Sequence, residues 1–375
     1  MRLAILRERD PDECRAAATP ETVRKLAALG IEITVEQGTG ARSGFADAGY
    51  AEAGAAIAAT PAEALSGASV VFGVQMPIPE IRALLPRGAL WIGIAGPTPE
   101  LAAELAALGI DAAALEWLPR TTRAQAMDVL SSQANLAGYR AVIESAEAFG
   151  RGFPMMMTAA GTLPPARVFV IGAGVAGLQA IATARRLGAI VSATDVRPAA
   201  KEEIKSLGAG FVGIEDAETA TQTGAYAKEM SDDFKRRQAE LMLTTVTKSD
   251  IVITTALIQG RRAPELVSAA MVAAMKSGSV IVDLAAEAGG NCAATVPGAR
   301  IVTGNGVTIL GWRNWPSRIA VAATGLYARN LMTFVTLFFD KTSDAVNLPE
   351  TDDIARGVLL SRAGRVVHPR LTGAA

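Results

Sequence analysis

Residues 167–195 constrain the fold more than any other stretch of the chain. Arg167-Val168-Phe169-Val170-Ile171 is a short apolar, β-branched run that leads straight into Gly172-Ala173-Gly174-Val175-Ala176-Gly177. Leu178, Ile181, Ala184 and Leu187 follow at helical spacing. Ala189 to Thr194 reads as a second strand, and Asp195 ends it. Strand, Gly-x-Gly-x-x-Gly, helix, strand and acid in that order specify a dinucleotide-binding βαβ unit. The first glycine permits the tight turn and the second lets backbone approach a pyrophosphate. The third lets helix pack on strand, and the helix N-terminus faces the negative charge. Glycines alone would be an ordinary turn; the flanking strand, helix and acid make the difference.

Asp195 bears on which nucleotide is held. A carboxylate at the end of the second strand accepts hydrogen bonds from ribose hydroxyls and repels a 2′-phosphate, so NAD(H) is expected over NADP(H). Arg197, two residues on, could welcome that phosphate, but a solvated loop charge before Pro198 is the preferred reading.

At 375 residues there is chain for two domains with separate cores. Half of it is apolar, which suits α/β layers, and 36 basic against 37 acidic residues leave net charge −1 and no nucleic-acid footprint. Cys14 and Cys292 are too few for a disulfide framework, and Arg2 to Leu6 reads as a strand rather than a secretory signal, so a cytoplasmic setting is expected. Ile319 to Phe339 has the length of a membrane span, but Arg329 and Asn330 sit at its middle. A central arginine is costly in lipid, so a buried helix of a soluble protein is expected there.

The first 115 residues repeat a βα rhythm. Thr19-Pro20-Glu21, Thr60-Pro61-Ala62-Glu63 and Thr98-Pro99-Glu100 each read as an N-cap with proline at the first helical position, the second as a capping box. Leu3–Leu6, Ile31–Val35, Val70–Val74 and Ala89–Ile94 read as strands between them, giving a parallel or mixed sheet. Leu115-Glu116-Trp117 reads as a strand end, Ala126–Phe149 as a long helix, and Phe153–Pro165 as a Pro/Gly-rich connection. Further strands are expected near 210–212, 250–254, 279–284, 300–302 and 307–310. The final helix should pack back on the N-terminal half.

The predicted architecture is therefore α/β: two Rossmann-like domains with parallel sheets and NAD(H) in the interdomain cleft. The first domain, 1–130 plus 320–375, is discontinuous, and 131–319 forms the NAD(H)-binding domain. A polar insertion, about Glu215 to Glu240, carries Gly224-Ala225-Tyr226 and a charge run from Lys228 to Arg237, and reads as a mobile lid.

Histidine supplies the strongest negative argument. The only one is His368, near a polar C-terminal tail, whereas a dehydrogenase of alcohols or hydroxy acids usually needs a general base. No Cys/His cluster has zinc spacing, so no metal is expected. Well-placed polar residues instead follow Trp117: Arg120-Thr121-Thr122-Arg123-Ala124-Gln125-Ala126-Met127-Asp128, then Ser131-Ser132-Gln133-Ala134-Asn135. Taken alone, such a run is more often a helix cap with solvated charges than an active site.

Six segments together carry a resemblance. They are Pro119-Arg120 to Asn135-Leu136-Ala137-Gly138-Tyr139-Arg140; Gly172 to Gly177; and Thr194-Asp195-Val196-Arg197-Pro198. The others are Ala225-Tyr226-Ala227-Lys228-Glu229-Met230; Ala256-Leu257-Ile258-Gln259-Gly260-Arg261-Arg262-Ala263-Pro264; and Asp283-Leu284-Ala285 to Gly289-Gly290-Asn291-Cys292. In these the chain resembles the family of NAD(H)-binding subunits of proton-translocating transhydrogenases, over nearly its whole length. Alanine dehydrogenase belongs to the wider family. Gln259 departs from the proline usual there.

The resemblance implies that Arg120, Asp128 and Ser131 orient a dihydronicotinamide, while Gln125 reaches toward NADP(H) on a partner subunit. Tyr226 would tip the lid. Gly172, Gly174, Val175, Ala176, Gly177, Asp195, Val196, Arg197 and Ala256 would hold the nucleotide. It also implies membrane-spanning partner subunits, an NADP(H)-binding subunit, a homodimer, and a peripheral place on the cytoplasmic face of the inner membrane. Hydride passing directly between two nicotinamides changes no protonation, which agrees with the missing base. Two alternatives stand beside this one. Alanine dehydrogenase shares Arg15, but its lysine pattern reads Gly73-Val74-Gln75-Met76-Pro77 here, and its cleft histidine, expected within Leu90–Ala95, falls near Gly93. A non-catalytic NAD(H)-sensing module would bind the nucleotide without passing hydride on.

Overall fold

The computed structural model describes residues 1–214, 232–257 and 260–372. Two compact units emerge, Met1–Gln133 with Pro316–Ala375, and Ala134–Trp315. Both are α/β, each built on a mainly parallel sheet.

In the first unit the eight strands run in the order Arg365–Val366, Leu359–Arg362, Asp111–Ala114, Leu90–Ile94, Val70–Gln75, Arg2–Ile5, Glu32–Glu36, Ala56–Ala58. The six N-terminal strands pair in parallel; the two from the C-terminus are antiparallel. Alternation along a strand feeds a core on each face. Leu3 and Ile5 enter one cluster with Val35 and Phe72, while Ala4 and Leu6 enter another with Trp91 and Leu105.

All three Thr-Pro sites open helices, with Thr19, Thr60 and Thr98 accepting from the N–H groups of Thr22, Glu63 and Leu101. The box expected at Thr60 closes differently: the Glu63 carboxylate accepts from Ala59, 2.9 Å away, one residue before the cap. The reciprocal box forms instead between Thr19 and Thr22.

The helix Ala320–Phe338 explains the apolar run near the C-terminus. Tyr327, Leu331, Phe334 and Phe338 share the core of the N-terminal sheet, so their hydrophobicity is used inside the first unit. Arg329 points outward to Glu21, and buried Asn330 donates to the Ala126 carbonyl at 2.8 Å. No described helix is long and apolar enough to cross a membrane.

The tail is not the polar appendage expected. Residues 359–366 extend the sheet edge, and His368 is buried, its ring 4.3 Å from that of Trp117. The partner strand, Asp111–Ala114, lies some 250 residues earlier, a pairing that local pattern cannot announce. Nor does Leu115–Trp117 end a strand: the strand stops at Ala114 and a 3₁₀ turn follows.

The second unit holds seven strands in the order Gly210–Phe211, Ile190–Thr194, Arg167–Ile171, Ile251–Thr254, Val280–Asp283, Thr308–Leu310, Arg300–Val302, only the last antiparallel. The fingerprint strand lies inside the sheet and is buried on both faces, Val168 and Val170 toward one core, Phe169 and Ile171 toward the other. Phe153–Pro165 is not plain coil. It contains a hairpin of Met156–Thr158 with Gly161–Leu163, missed because glycine and proline dominate the stretch. The end of the polar insertion is helical, Asp232–Lys248. Residues 215–231, with Tyr226 and the start of the charge run, lie outside the described residues, as do Ile258 and Gln259.

Candidate nucleotide site and the loop after Trp117

The turn between Ile171 and Val175 shows which glycines the protein itself requires. Gly172 has φ +98°, and a Cβ there would stand 2.5 Å from Thr255 Oγ1. A Cβ on Gly177 would lie 1.9 Å from the Gly172 carbonyl oxygen, so helix and turn touch backbone to backbone. Gly174 is different: nothing lies within 4 Å of its would-be Cβ. The packing therefore gives no reason for glycine at 174; an external group brought close to the backbone gives one.

That group would be an anion. Gly174 caps the helix Val175–Arg186 without any side-chain hydrogen bond, so the first-turn N–H groups at the positive end of the helix lack a side-chain cap. Val175 is largely exposed beside them. A pyrophosphate fits this cradle.

Asp195 stands where the fold places it, after Thr194. One carboxylate oxygen accepts from the Ala173 N–H at 2.7 Å, the other from the Arg197 N–H at 2.8 Å. Arg197 is tied down rather than simply solvated, which corrects the sequence expectation. Its guanidinium meets Asp195 Oδ1 at 3.1 Å and donates to the Ala173 carbonyl at 2.9 Å. The arginine thereby brackets the turn, and its charge is partly answered by Asp195. Val196 is 88% exposed between them, an apolar surface with no protein partner covering it.

A second brace escaped sequence reasoning. Asp283 ends the strand Val280–Asp283 fully buried and accepts from the N–H groups of Ala285, Asn291 and Cys292 and from the hydroxyls of Thr254 and Thr295. Asn291, held this way, clasps Ala256 from both sides. Its Oδ1 accepts from the Ala256 N–H at 3.1 Å and its Nδ2 donates to the Ala256 carbonyl at 3.0 Å. Thr255 beside it donates to the Gly172 carbonyl at 3.1 Å. The structure so joins Gly172, Asp195, Arg197 and Ala256 into one assembly. The signal available was a strand-ending aspartate followed by Gly289-Gly290-Asn291.

In the first unit, the loop after Trp117 resolves into a cap and exposed side chains. Asp128 accepts from the Ser131 N–H at 2.9 Å and from its hydroxyl at 2.6 Å, capping the helix Val129–Ala148. That cap explains why the helix begins at Val129 and not Ala126, the preceding Gln125–Met127 being a 3₁₀ turn. Arg120 and Gln125 are exposed.

The residues compared with alanine dehydrogenase are locked into a buried network. Arg15 grips Glu13 through two nitrogens, at 2.6 and 2.7 Å, and donates to Gln133 at 3.0 Å. Burial alone would lower the Arg15 pKa, but its bonds to Glu13 raise it on balance. Gln75 donates to Glu13 at 3.1 Å. Glu8 accepts from the N–H groups of Val74 and Gln75, and burial pushes its carboxyl up to about 7 against those bonds. At position 93 a Cβ would stand 2.5 Å from the Gly73 carbonyl and 2.7 Å from the Trp91 ring, leaving no room for a histidine.

Known proteins agree with this geometry. The family model "Alanine dehydrogenase/PNT, N-terminal domain" matches residues 4–137, and "Alanine dehydrogenase/PNT, C-terminal domain" matches 141–369. An NAD(P) transhydrogenase subunit alpha polypeptide of Rhodospirillum rubrum is 51% identical, over 100% of this chain and 99% of that one. Among solved structures, a transhydrogenase from Sinorhizobium meliloti is similar with TM-score 0.89 and 47% identity, covering 98% of this chain and 100% of the other. An L-alanine dehydrogenase follows with TM-score 0.79 and 28% identity, over 100% and 98% of the two chains. The chain belongs to the alanine dehydrogenase/PNT family, and within it is similar to the alpha subunits of NAD(P) transhydrogenase.

Proposed function

We propose that this chain holds NAD(H) on the second unit and exchanges hydride with NADP(H) bound by a partner subunit. The observation that carries the nucleotide half is the turn itself. Two of its glycines are required by backbone contact, the third is left open, and an uncapped helix start stands beside it. Gly172 to Gly177 would receive the pyrophosphate, with Asp195 accepting from ribose hydroxyls and Val196 and Ala256 lining the adenosine end. The bound nicotinamide supplies a hydride at C4.

The chain's own contribution is orientation. Arg120, Asp128 and Ser131 orient the ring, Gln125 reaches toward the second nucleotide, and Tyr226 closes over the site. No proton need be moved, because both partners are nicotinamides. The blocked position at Gly93 and the engagement of Arg15 by Glu13 support this reading over alanine dehydrogenase. Proton translocation then belongs to membrane-spanning partners. This chain, as a homodimer, docks on their cytoplasmic side. The name of the Rhodospirillum rubrum relative, a subunit of a transhydrogenase, agrees with such an assembly.

The test mixes this chain with an NADP(H)-binding transhydrogenase subunit, NADH carrying two deuterium atoms at C4, and NADP⁺. Deuterium in NADPH only when both proteins are present supports the reading. NADH binding without label transfer supports a sensor instead, and NADH formation from L-alanine would return the chain to the dehydrogenases. Separately, NADH should bind far more tightly than NADPH, and Asp195→Ala should narrow that gap; equal affinities in the unmodified protein would remove Asp195 from its role.

A further inference from the structure

The C-terminal segment touches the loop that follows Trp117 at three separate points. Arg123 meets Asp352 at 2.6 Å and Asp353 at 3.4 Å. A Cβ at Gly357 would stand 3.0 Å from Pro119 Cδ, so backbone and proline ring are in close contact there. The Trp117 ring lies against His368, with the Arg370 guanidinium 5.4 Å from its centroid. Each holding residue is itself fixed. Asp352 also accepts from the N–H groups of Ile354 and Ala355, starting the helix Asp353–Val358, whose Ile354, Ala355 and Val358 are buried. His368 bonds the Gly357 carbonyl through Nε2 at 3.1 Å and accepts from the Arg370 N–H through Nδ1 at 3.2 Å. The loop, by contrast, has few contacts of its own and exposes Arg120, Thr121, Thr122, Arg123 and Gln125.

We infer that residues 352–370 form a clamp, in which Arg123 through Asp352 and Trp117 through His368 are positioning residues that fix the loop bearing Arg120, Gln125 and Asp128. The inference rests on the hydride-transfer reading above, which gives that loop its task. Arg123 touches no reacting atom; it acts by holding its neighbours. A long exposed loop whose side chains must meet a ring within tenths of an ångström needs such an anchor, because small misplacements cost large factors in rate.

Four variants test it: Arg123→Ala, Arg123→Lys, Asp352→Asn and the Arg123→Ala/Asp352→Asn double variant. Asparagine at 352 keeps an oxygen for the helix cap, so the fold of 353–358 is preserved. Amide hydrogen exchange over 117–128 and the hydride-transfer rate with the partner subunit are measured together with NADH affinity. The clamp predicts faster exchange in Arg123→Ala and Asp352→Asn. It predicts a transfer rate down by about tenfold with NADH affinity within about twofold. Arg123→Lys should recover most of the rate, and the double variant should be no worse than either single one. Unchanged exchange overturns the clamp, and faster exchange with an unchanged rate overturns the positioning role. Equal losses of rate and NADH affinity, unrescued by lysine, would reduce Arg123 to general support. If the unmodified protein transfers no hydride, the proposed function fails, and the exchange data alone still decide whether 352–370 hold the loop.

Discussion

Replacing Gly138 by alanine sets two well-understood effects against each other. Gly138 lies in the helix Val129–Ala148, where alanine should gain about 1 kcal/mol of helix propensity. The added Cβ, however, would stand 2.0 Å from the Ala176 carbonyl oxygen, 2.8 Å from its carbon and 3.0 Å from its Cα. All three atoms are backbone, so no side chain can swing aside, and relief requires the two helices to part by about an ångström. Overpacking of this kind costs about 1–3 kcal/mol, and a contact between two backbones belongs at the upper end. The clash wins. What moves is the first turn of Val175–Arg186, whose N–H groups face the proposed pyrophosphate. Gly138→Ala should therefore unfold at lower denaturant and bind NADH at least about tenfold more weakly, a loss of about 1.4 kcal/mol. Gly325→Ala is the control. Gly325 is also mid-helix, but nothing lies within 4 Å of its would-be Cβ, so alanine should stabilise by about 0.5–1 kcal/mol. Urea unfolding and a fluorescence titration with NADH read both. A Gly138→Ala protein as stable as the parent, with unchanged NADH affinity, would refute the reasoning.

Two further outcomes follow from buried polar groups. Asp283→Ala leaves three buried N–H groups without their acceptor and should cost about 3–5 kcal/mol, seen as a large drop in unfolding temperature; a loss below about 1 kcal/mol would mean the brace around Ala256 forms without it. Burial holds the His368 pKa below its usual 6.5, with the Arg370 charge acting in the same sense. Between that lowered value and 6.5 the unfolded chain binds the extra proton, so this contribution is full above 6.5 and is lost as pH falls through that window. His368→Asn should flatten the fall in unfolding temperature over the same range, and parallel curves would show that His368 is not its source.

Much of the nucleotide-binding unit was legible because its signals are local. Arg167–Ile171, the glycine turn, the following helix and Asp195 occupy 29 consecutive residues, and each element's period or turn chemistry is written within a few positions. The three Thr-Pro helix starts were legible for the same reason, since a cap acts over three residues. The helix Ala320–Phe338 needed one step more: a charged centre excluded lipid, but only packing shows its apolar face meeting Leu3 and Ile5. The loop after Trp117 was legible as a run of polar residues, yet the chain alone does not say that Asp128 commits its carboxylate to Ser131.

What only the tertiary structure decided are the contacts between residues far apart in the chain. The C-terminal strands join Asp111–Ala114 across some 250 residues, Arg123 finds Asp352, and Asn291 finds Ala256 because Asp283 holds its loop. Such pairings depend on which backbone groups remain unsatisfied after the local elements form, and only the assembled sheet determines that. The demand for glycine at 138 and at 93 is of the same kind. It comes from neighbours 38 residues later in one case and 20 earlier in the other, and nothing in the adjoining sequence announces them.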